Sequence, residues 1–254
     1  VIRYGMTREW VLGLKVVTGA GDILEFNHGL IKNNTGYDFR HLFIGSEGTL
    51  GVICEATIQL IKPPEESVVL MLGVDNFHAI LDVLKTFNSQ INLMAFEFFS
   101  QFALDKVVEH QGHSAPFDTR APFYALLEFE TKSGQILDTA MELFEYCVEQ
   151  GWVIEGIVSQ SESQAKKLWK LREDISETLW HYQPYKNDIS VRVSRMPDFL
   201  KEVDDLVEQY YLNFEVVWYG HIGDGNLHLN ILKPNELSTE DFTEKCKDVS
   251  DKIG

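Results

Sequence analysis

The sequence predicts an α+β fold in two parts: a smaller β-rich part ending at residue 63, and a larger part whose largely antiparallel sheet is covered by helices. Three observations predict it. The chain opens on β-rich runs separated by a tight turn, two adjacent prolines then interrupt all regular structure, and beyond them the order strand, helix, strand occurs three times.

Trp10 to Thr18 is β-rich, Gly19-Ala20-Gly21-Asp22 is a turn, and Ile23 to Phe26 forms the return strand. From Asn33 to Gly51 glycine and asparagine punctuate the chain, leaving room for one short helix near Asp38 to Phe43. Val52 to Ile61 alternates in part, with Ala56, Ile58 and Leu60 set against Glu55, Thr57 and Gln59, which predicts a half-buried strand. Pro63-Pro64-Glu65-Glu66 ends it and marks the domain boundary, since paired prolines disfavour both helix and central strand. The first unit beyond runs through Ser67 to Val74, Phe77 to Phe87 and Met94 to Phe99. The second is Pro122 to Glu130, Gln135 to Glu149 and Trp152 to Val158, and the third Asp188 to Val193, Met196 to Tyr210 and Phe214 to His221. A long polar-faced helix from about Ser161 to Tyr182 precedes the third unit, and the helices are expected on one face of the sheet.

Composition narrows the function classes. The 254 residues are 44% apolar and 24% charged, as in an ordinary globular chain. The longest clean apolar stretch, Val68 to Val74, is strand-sized, so no membrane span is expected. A net charge of -17 argues against nucleic acid and anionic membrane surfaces, whose binding rests on cationic contacts. Cys54, Cys147 and Cys246 are odd in number and scattered, which points to a reducing compartment rather than a secreted protein. The opening Val1-Ile2-Arg3-Tyr4-Gly5 reads as a piece of something longer.

The sharpest chemical signal is Tyr219-Gly220-His221-Ile222-Gly223-Asp224-Gly225-Asn226-Leu227-His228-Leu229-Asn230. An Asp-Gly pair between β-rich runs predicts a two-residue hairpin loop, because a type I′ turn needs positive φ at both central residues. Counting outward, His221 then faces His228 directly, and Asn230 lies on the same face. Two imidazoles so placed suit Zn²⁺, Mn²⁺ or Fe²⁺, and a third ligand, normally a carboxylate, is not evident nearby. Solvated hairpin histidines are the plainer alternative.

Two weaker constellations follow. Arg172 and Ser176 are spaced i,i+4 on the predicted helix, a pairing that can hold a carboxylate, and Lys186 can add a second cation. A solvated helix face is the plainer reading of that spacing. Gly45-Ser46-Glu47-Gly48-Thr49-Leu50-Gly51 carries three glycines in seven residues, so its backbone can approach a ligand closely, although tight turns explain most such stretches.

Taken together, Arg3-Tyr4-Gly5, Asn34-Thr35-Gly36-Tyr37-Asp38, Leu42 to Gly51 and Gly220 to His228 resemble the FAD-dependent D-2-hydroxyacid dehydrogenases, flavoproteins of the vanillyl-alcohol-oxidase type. Leu171-Arg172-Glu173 and Lys186-x-Asp188-Ile189-Ser190 are most similar to the enzymes acting on D-2-hydroxyglutarate, with those for D-lactate and glycolate the close alternatives. The resemblance implies that residues 1–63 are the later part of an FAD-binding domain and 64–254 the substrate-binding or cap domain. Gly45, Glu47, Gly48, Thr49, Gly51, Val52 and Ile53 would then meet FAD, His221 and His228 would hold a metal, most often Zn²⁺, and Arg172, Ser176, Lys186 and Asn230 would hold substrate. The family's pyrophosphate loop would precede Val1 and its Glu-His pair, with the general base, would follow Gly254. The chain alone is therefore expected to be inactive, and no catalytic residue is assigned within it.

The implied reaction oxidises a 2-hydroxy acid, with hydride passing to FAD and electrons to an unidentified acceptor. A homodimer and a cytoplasmic or mitochondrial matrix location complete the expectation. A metal-dependent hydrolase without flavin, and a non-catalytic interaction domain, are the competing classes.

Overall fold

The computed structural model describes residues 1–64, 66–131, 134–211 and 213–253. Glu65, within the predicted proline break, and Gly254 lie outside them. The chain divides into two compact units, one of Arg3–Pro63 with Val1, the other of Pro64–Gly254 with Ile2.

In the first unit a short helix, α1 (Thr7–Trp10), leads into β1 (Val11–Thr18). β1 pairs antiparallel with β2 (Ile23–Phe26), and the turn between them closes through Thr18 N–H to Asp22 O (2.9 Å) and Gly21 N–H to Thr18 O (3.0 Å). A single helical turn, α2 (Arg40–Phe43), precedes β3 (Gly51–Ile58), which pairs with the other edge of β1. The core of this unit is Val11, Leu14 and Val16, backed by Phe26, Phe43 and Ile44. Beyond its first residue β3 is exposed throughout, which corrects the expectation of a half-buried strand. Alternation makes one face available for burial, but nothing within the unit covers that face.

The second unit contains β4 (Ser67–Val74), α3 (Phe77–Asn88), β5 (Leu93–Ser100), α4 (Gln101–Gln111), β6 (Phe123–Glu130), α5 (Gly134–Glu149) and β7 (Val153–Val158). It continues with α6 (Glu162–Glu173), α7 (Ile175–Leu179), β8 (Tyr185–Ser190), α8 (Met196–Tyr210), β9 (Val216–His221), β10 (Asn226–Ile231) and α9 (Thr239–Ile253). Among the described residues its strands form one seven-stranded sheet, order β7-β4-β6-β5-β9-β10-β8, antiparallel at every junction. No helix among the described residues is long and apolar enough to cross a membrane.

Helices cover both faces of this sheet, not one as expected. Leu70, Leu72, Phe96, Phe98, Leu127 and Leu227 project to one face under α3, α5 and the start of α8, a core continued by Leu229 and Ile231 under α8 and α9. Val69, Met71, Phe99, Tyr124, Leu126 and Tyr219 project to the other face under α4, α6 and α7. The continuous apolar run of β4 is the signature of a strand buried on both sides. α4 and α9 have no counterpart among the predicted elements.

The predicted long helix is also broken. Ser161 caps it, its hydroxyl accepting from Gln164 N–H (3.2 Å), but α6 ends at Glu173, and α7 gives way to a 3-10 turn over Trp180–Tyr182. Asp174 at the junction is nearly buried, its carboxylate 2.7 Å from His113 Nε2 and 3.3 Å from Lys170 Nζ.

Candidate functional site

The helical cover of the second face thins out over β9, β10 and β8, and there the side chains change from apolar to polar. The β9–β10 hairpin sets them out. Its register pairs His221 with Asn226, Gly220 with Leu227 and Tyr219 with His228, so the connecting loop is Ile222-Gly223-Asp224-Gly225 rather than Asp224-Gly225 alone. This corrects the direct pairing of His221 with His228. The slip is by two residues, however, and because side chains alternate with period two, both histidines still project to one face. They are diagonal neighbours, ring centroids 5.4 Å apart and planes at 85°.

Two contacts explain the longer loop. Gly225 O accepts from Val191 N–H (2.9 Å), and Asp224 Oδ1 accepts from Asn226 N–H (3.2 Å). Gly225 has φ +83, and a Cβ there would lie 2.0 Å from Val191 O, so only glycine fits. Gly220 is equally constrained, since a Cβ would lie 2.5 Å from Asn226 O.

β8 extends the face. Lys186 pairs with Asn230 and Asp188 with His228. Asp188 Oδ1 lies 3.2 Å from His228 Nδ1 and accepts from Asn226 Nδ2 (3.0 Å). On the other side of the hairpin, β5 contributes Glu97, 7% exposed. Its carboxylate accepts from His221 Nδ1 (2.8 Å to Oε1), and its Oε2 lies 2.9 Å from Arg172 Nη2. The Arg172 guanidinium stacks over the Tyr219 ring (4.9 Å), whose other neighbour is His228, ring centroids 4.8 Å apart. Glu97, Arg172, Tyr219, His221 and His228 therefore form one contiguous cluster.

Burial lowers the His228 pKa below its usual value, the nearby Arg172 and His221 adding to the effect and Asp188 and Glu97 opposing it. The ring is accordingly held neutral at physiological pH, the form that can ligate a metal. Two imidazoles on one face, each with Nδ1 beside a carboxylate, fit a divalent ion as two of its ligands. Among the described residues no group of three or more His, Cys, Asp or Glu side chains is assembled to hold an ion by itself. Arg172 Nε and Asn230 Oδ1 are among the buried polar atoms that carry no hydrogen bond among the described residues, and Asn230 is only 1% exposed. Such orphaned groups cost about 1–3 kcal/mol each, which a bound polar ligand would recover.

Of the predicted substrate residues, Arg172 joins the histidine cluster, and Asn230 lies on its strand and face. Ser176 is half-buried on α7, one turn beyond Arg172 across the Asp174 junction. Lys186 is exposed at its rung opposite Asn230, Nζ 5.1 Å from the Trp180 ring. Glu97 and Tyr219 were not among the predicted site residues. Glu97 had a signal: it is the one charged residue in Leu93–Ser100 and interrupts the apolar run Leu93–Phe99, and a charge in a buried strand needs a partner.

The glycine-rich loop lies in the first unit. Gly45, Glu47 and Gly48 all have positive φ, and the loop closes through Thr49 N–H and Oγ1 to Ser46 O (3.0 and 2.6 Å). Gly51 has a packing reason of its own, since a Cβ would lie 2.7 Å from Val17 O, whereas Gly48 faces open space. Val52 and Ile53 follow on β3 with side chains 66% and 42% exposed.

Comparison with known proteins bears on this arrangement. The chain is 57% identical to a D-2-hydroxyglutarate dehydrogenase of Stutzerimonas stutzeri (strain A1501), over 98% of its own length and 54% of the relative's. It is 39% identical to the mitochondrial D-2-hydroxyglutarate dehydrogenase of Bos taurus, over 91% of its length and 43% of the relative's. The chain thus spans about half the length of the curated relatives it matches. Among solved structures, 4-ethylphenol oxidase from Gulosibacter chungangensis superposes with a TM-score of 0.67 at 13% identity, covering 99% of this chain and 56% of that one. An alkyldihydroxyacetonephosphate synthase superposes at 0.63 and 16% identity, over 99% and 49%. At such identities these two show a shared fold. Residues 63–253 match the FAD linked oxidases, C-terminal domain, and the chain belongs to that family.

Proposed function

We propose that this chain forms the substrate-binding part, with a portion of the cofactor-binding part, of an FAD-dependent dehydrogenase that oxidises D-2-hydroxyglutarate to its 2-oxo acid. The observation that carries the reading is the same-face gathering of His221 and His228 with the buried Arg172 and Asn230. The names of the similar proteins support the substrate. Residues 1–63 belong to the FAD-binding domain in this reading, with Gly45, Glu47, Gly48, Thr49, Gly51, Val52 and Ile53 along the cofactor, and residues 64–254 form the cap.

His221 and His228 would hold a divalent ion, Zn²⁺ by preference; that ion supplies Lewis-acid polarisation of the 2-hydroxyl, and FAD the hydride acceptor. Arg172 binds a substrate carboxylate by a charge-assisted pair, using its Nε, which carries no hydrogen bond within the described residues. Ser176 adds a neutral hydrogen bond, Asn230 orients the hydroxy-acid end, and Lys186 meets the far carboxylate of a dicarboxylate. Burial, which lowers the His228 pKa, favours the neutral ring that coordination requires.

The test uses the protein purified from its complete gene. A flavin absorbance spectrum, reduction of an artificial acceptor by D-2-hydroxyglutarate in preference to D-lactate, and loss of activity on chelation with recovery on adding Zn²⁺ are expected. A colourless protein would sink the flavin assignment. Equal turnover of the two acids would sink the substrate, and indifference to chelation the metal.

A further inference from the structure

We propose that Glu97 is a positioning residue, a buried carboxylate that holds the His221 ring in the tautomer and orientation able to ligate a metal and at the same time anchors the guanidinium of Arg172. The inference rests on the metal-assisted reading above and adds a residue and a linkage to it.

The geometry is specific. Glu97 stands on β5 between Phe96 and Phe98, which face the opposite core, so strand alternation turns its side chain onto the hairpin face. β5 is the neighbour of β9, with Phe98 opposite Gly220 and Phe99 opposite Tyr219. One rung further along that antiparallel ladder puts Glu97 level with His221. Both carboxylate oxygens lie close to His221 Nδ1, at 2.8 Å (Oε1) and 2.7 Å (Oε2), and Oε2 is also 2.9 Å from Arg172 Nη2.

A carboxylate only accepts hydrogen bonds, so this contact calls for a proton on His221 Nδ1, and of the two neutral tautomers it selects the one whose Nε2 lone pair is free. Carboxylates commonly orient metal-ligating histidines in this way, and removing such a partner typically weakens metal binding ten- to a hundredfold. Asp188 stands in a similar place beside His228 Nδ1, but its side chain is largely exposed and its contact is 3.2 Å, so the stiffer constraint falls on His221. The side chains of Glu97 and Arg172 are 9% and 8% exposed, so neither charge can relax into water if the other is lost. A metal-side ligand and a substrate-side cation thus share one anchor, separated from His221 by 124 residues of sequence and brought together only by the β5–β9 pairing.

The test reads the ring directly. With ¹⁵N-labelled histidine, two-bond ¹H–¹⁵N spectra of the metal-free protein at pH 7.5 assign the His221 tautomer, and Zn²⁺ affinity follows from competition with a chromophoric chelator. The wild type should show Nδ1 protonated and Nε2 unprotonated. Glu97→Gln, whose amide can donate or accept, should populate both tautomers. Glu97→Ala should lose the bias entirely, and both variants should bind Zn²⁺ ten- to a hundredfold more weakly. Asp105→Asn, at an ion pair with Arg120 elsewhere, should change neither reading. A wild-type ring protonated on Nε2 overturns the proposal without any variant, which covers the case in which Glu97→Ala fails to fold. A bias that persists in folded Glu97→Ala, with Zn²⁺ uptake intact, overturns the role of Glu97 alone. The expected tautomers with no Zn²⁺ uptake by the wild type sink the coordination half of the proposal together with the metal reading.

Discussion

The two units use the same antiparallel pairing and reach opposite states of burial. In the first, the only side chains the three strands bury are those of Val11, Leu14 and Val16, and β3 lies open beyond its first residue. In the second, the sheet is packed on both faces, and side chains as large as Phe87, Phe98 and Phe129 are completely buried. The strands of both are β-branched and aromatic, so propensity does not separate them. Cover does. A sheet face is stabilised only by what lies on it, and the first unit has too few helical residues to supply a layer. The polar cluster follows the same rule at smaller scale: it sits where helices α4, α6 and α7 run out over β9, β10 and β8, on a sheet made rigid by the core on its other face.

The largest test of that contrast is cavity creation. Phe87→Ala should cost about 3–5 kcal/mol, because a fully packed site cannot collapse, while Leu14→Ala should fall near the low end of the roughly 2–5 kcal/mol seen for such truncations. Urea melts of the two variants decide it, and equal losses would break the comparison.

Thiol chemistry gives the next largest effect. Burial pushes Cys147 and Cys246 of the second unit up to about 11, whereas Cys54 of the first unit is exposed. At pH 8 only on the order of one in a thousand of the buried thiols is ionised, so iodoacetamide should label Cys54 alone until denaturant is added. The sign for stability follows. Folding favours the protonated thiols, so their contribution is whole below about 8.5, the value for free cysteine, and drains away as pH rises toward 11. Rapid labelling of Cys147 or Cys246 in native buffer would show that the second core opens readily.

Function should respond where stability does not. Lys186→Ala, at an exposed rung, should leave the melting temperature unchanged but lower kcat/KM for D-2-hydroxyglutarate roughly ten- to a hundredfold, the worth of about 1.5–3 kcal/mol for a charge-assisted contact. D-Lactate, lacking the second carboxylate, should be little affected. A matching loss for both acids would move Lys186 to the shared carboxylate. The smallest effect belongs to the open strand: Val52→Thr should change stability by no more than about 0.5 kcal/mol, and a larger loss would mean that β3 is covered after all.

Much of this was written locally in the chain. The strand–helix–strand order, the break at Pro63-Pro64 and the start of α6 at Ser161 follow from periodicity, proline geometry and capping, all of which act within a few residues. The shared face of His221 and His228 was legible too, because strand parity survives a two-residue error in loop length. Tertiary structure decided the rest. The four-residue loop depends on the bond from Val191 to Gly225, the interrupted helix has His113 against Asp174 at its junction, and the second helical layer includes α4, whose apolar stripe is sparse. Above all, Glu97 meets His221 only because β5 and β9 are neighbours in the sheet. Pairing between strands far apart in sequence is chosen by the sum of packing over both faces, and no local pattern of residues encodes that sum.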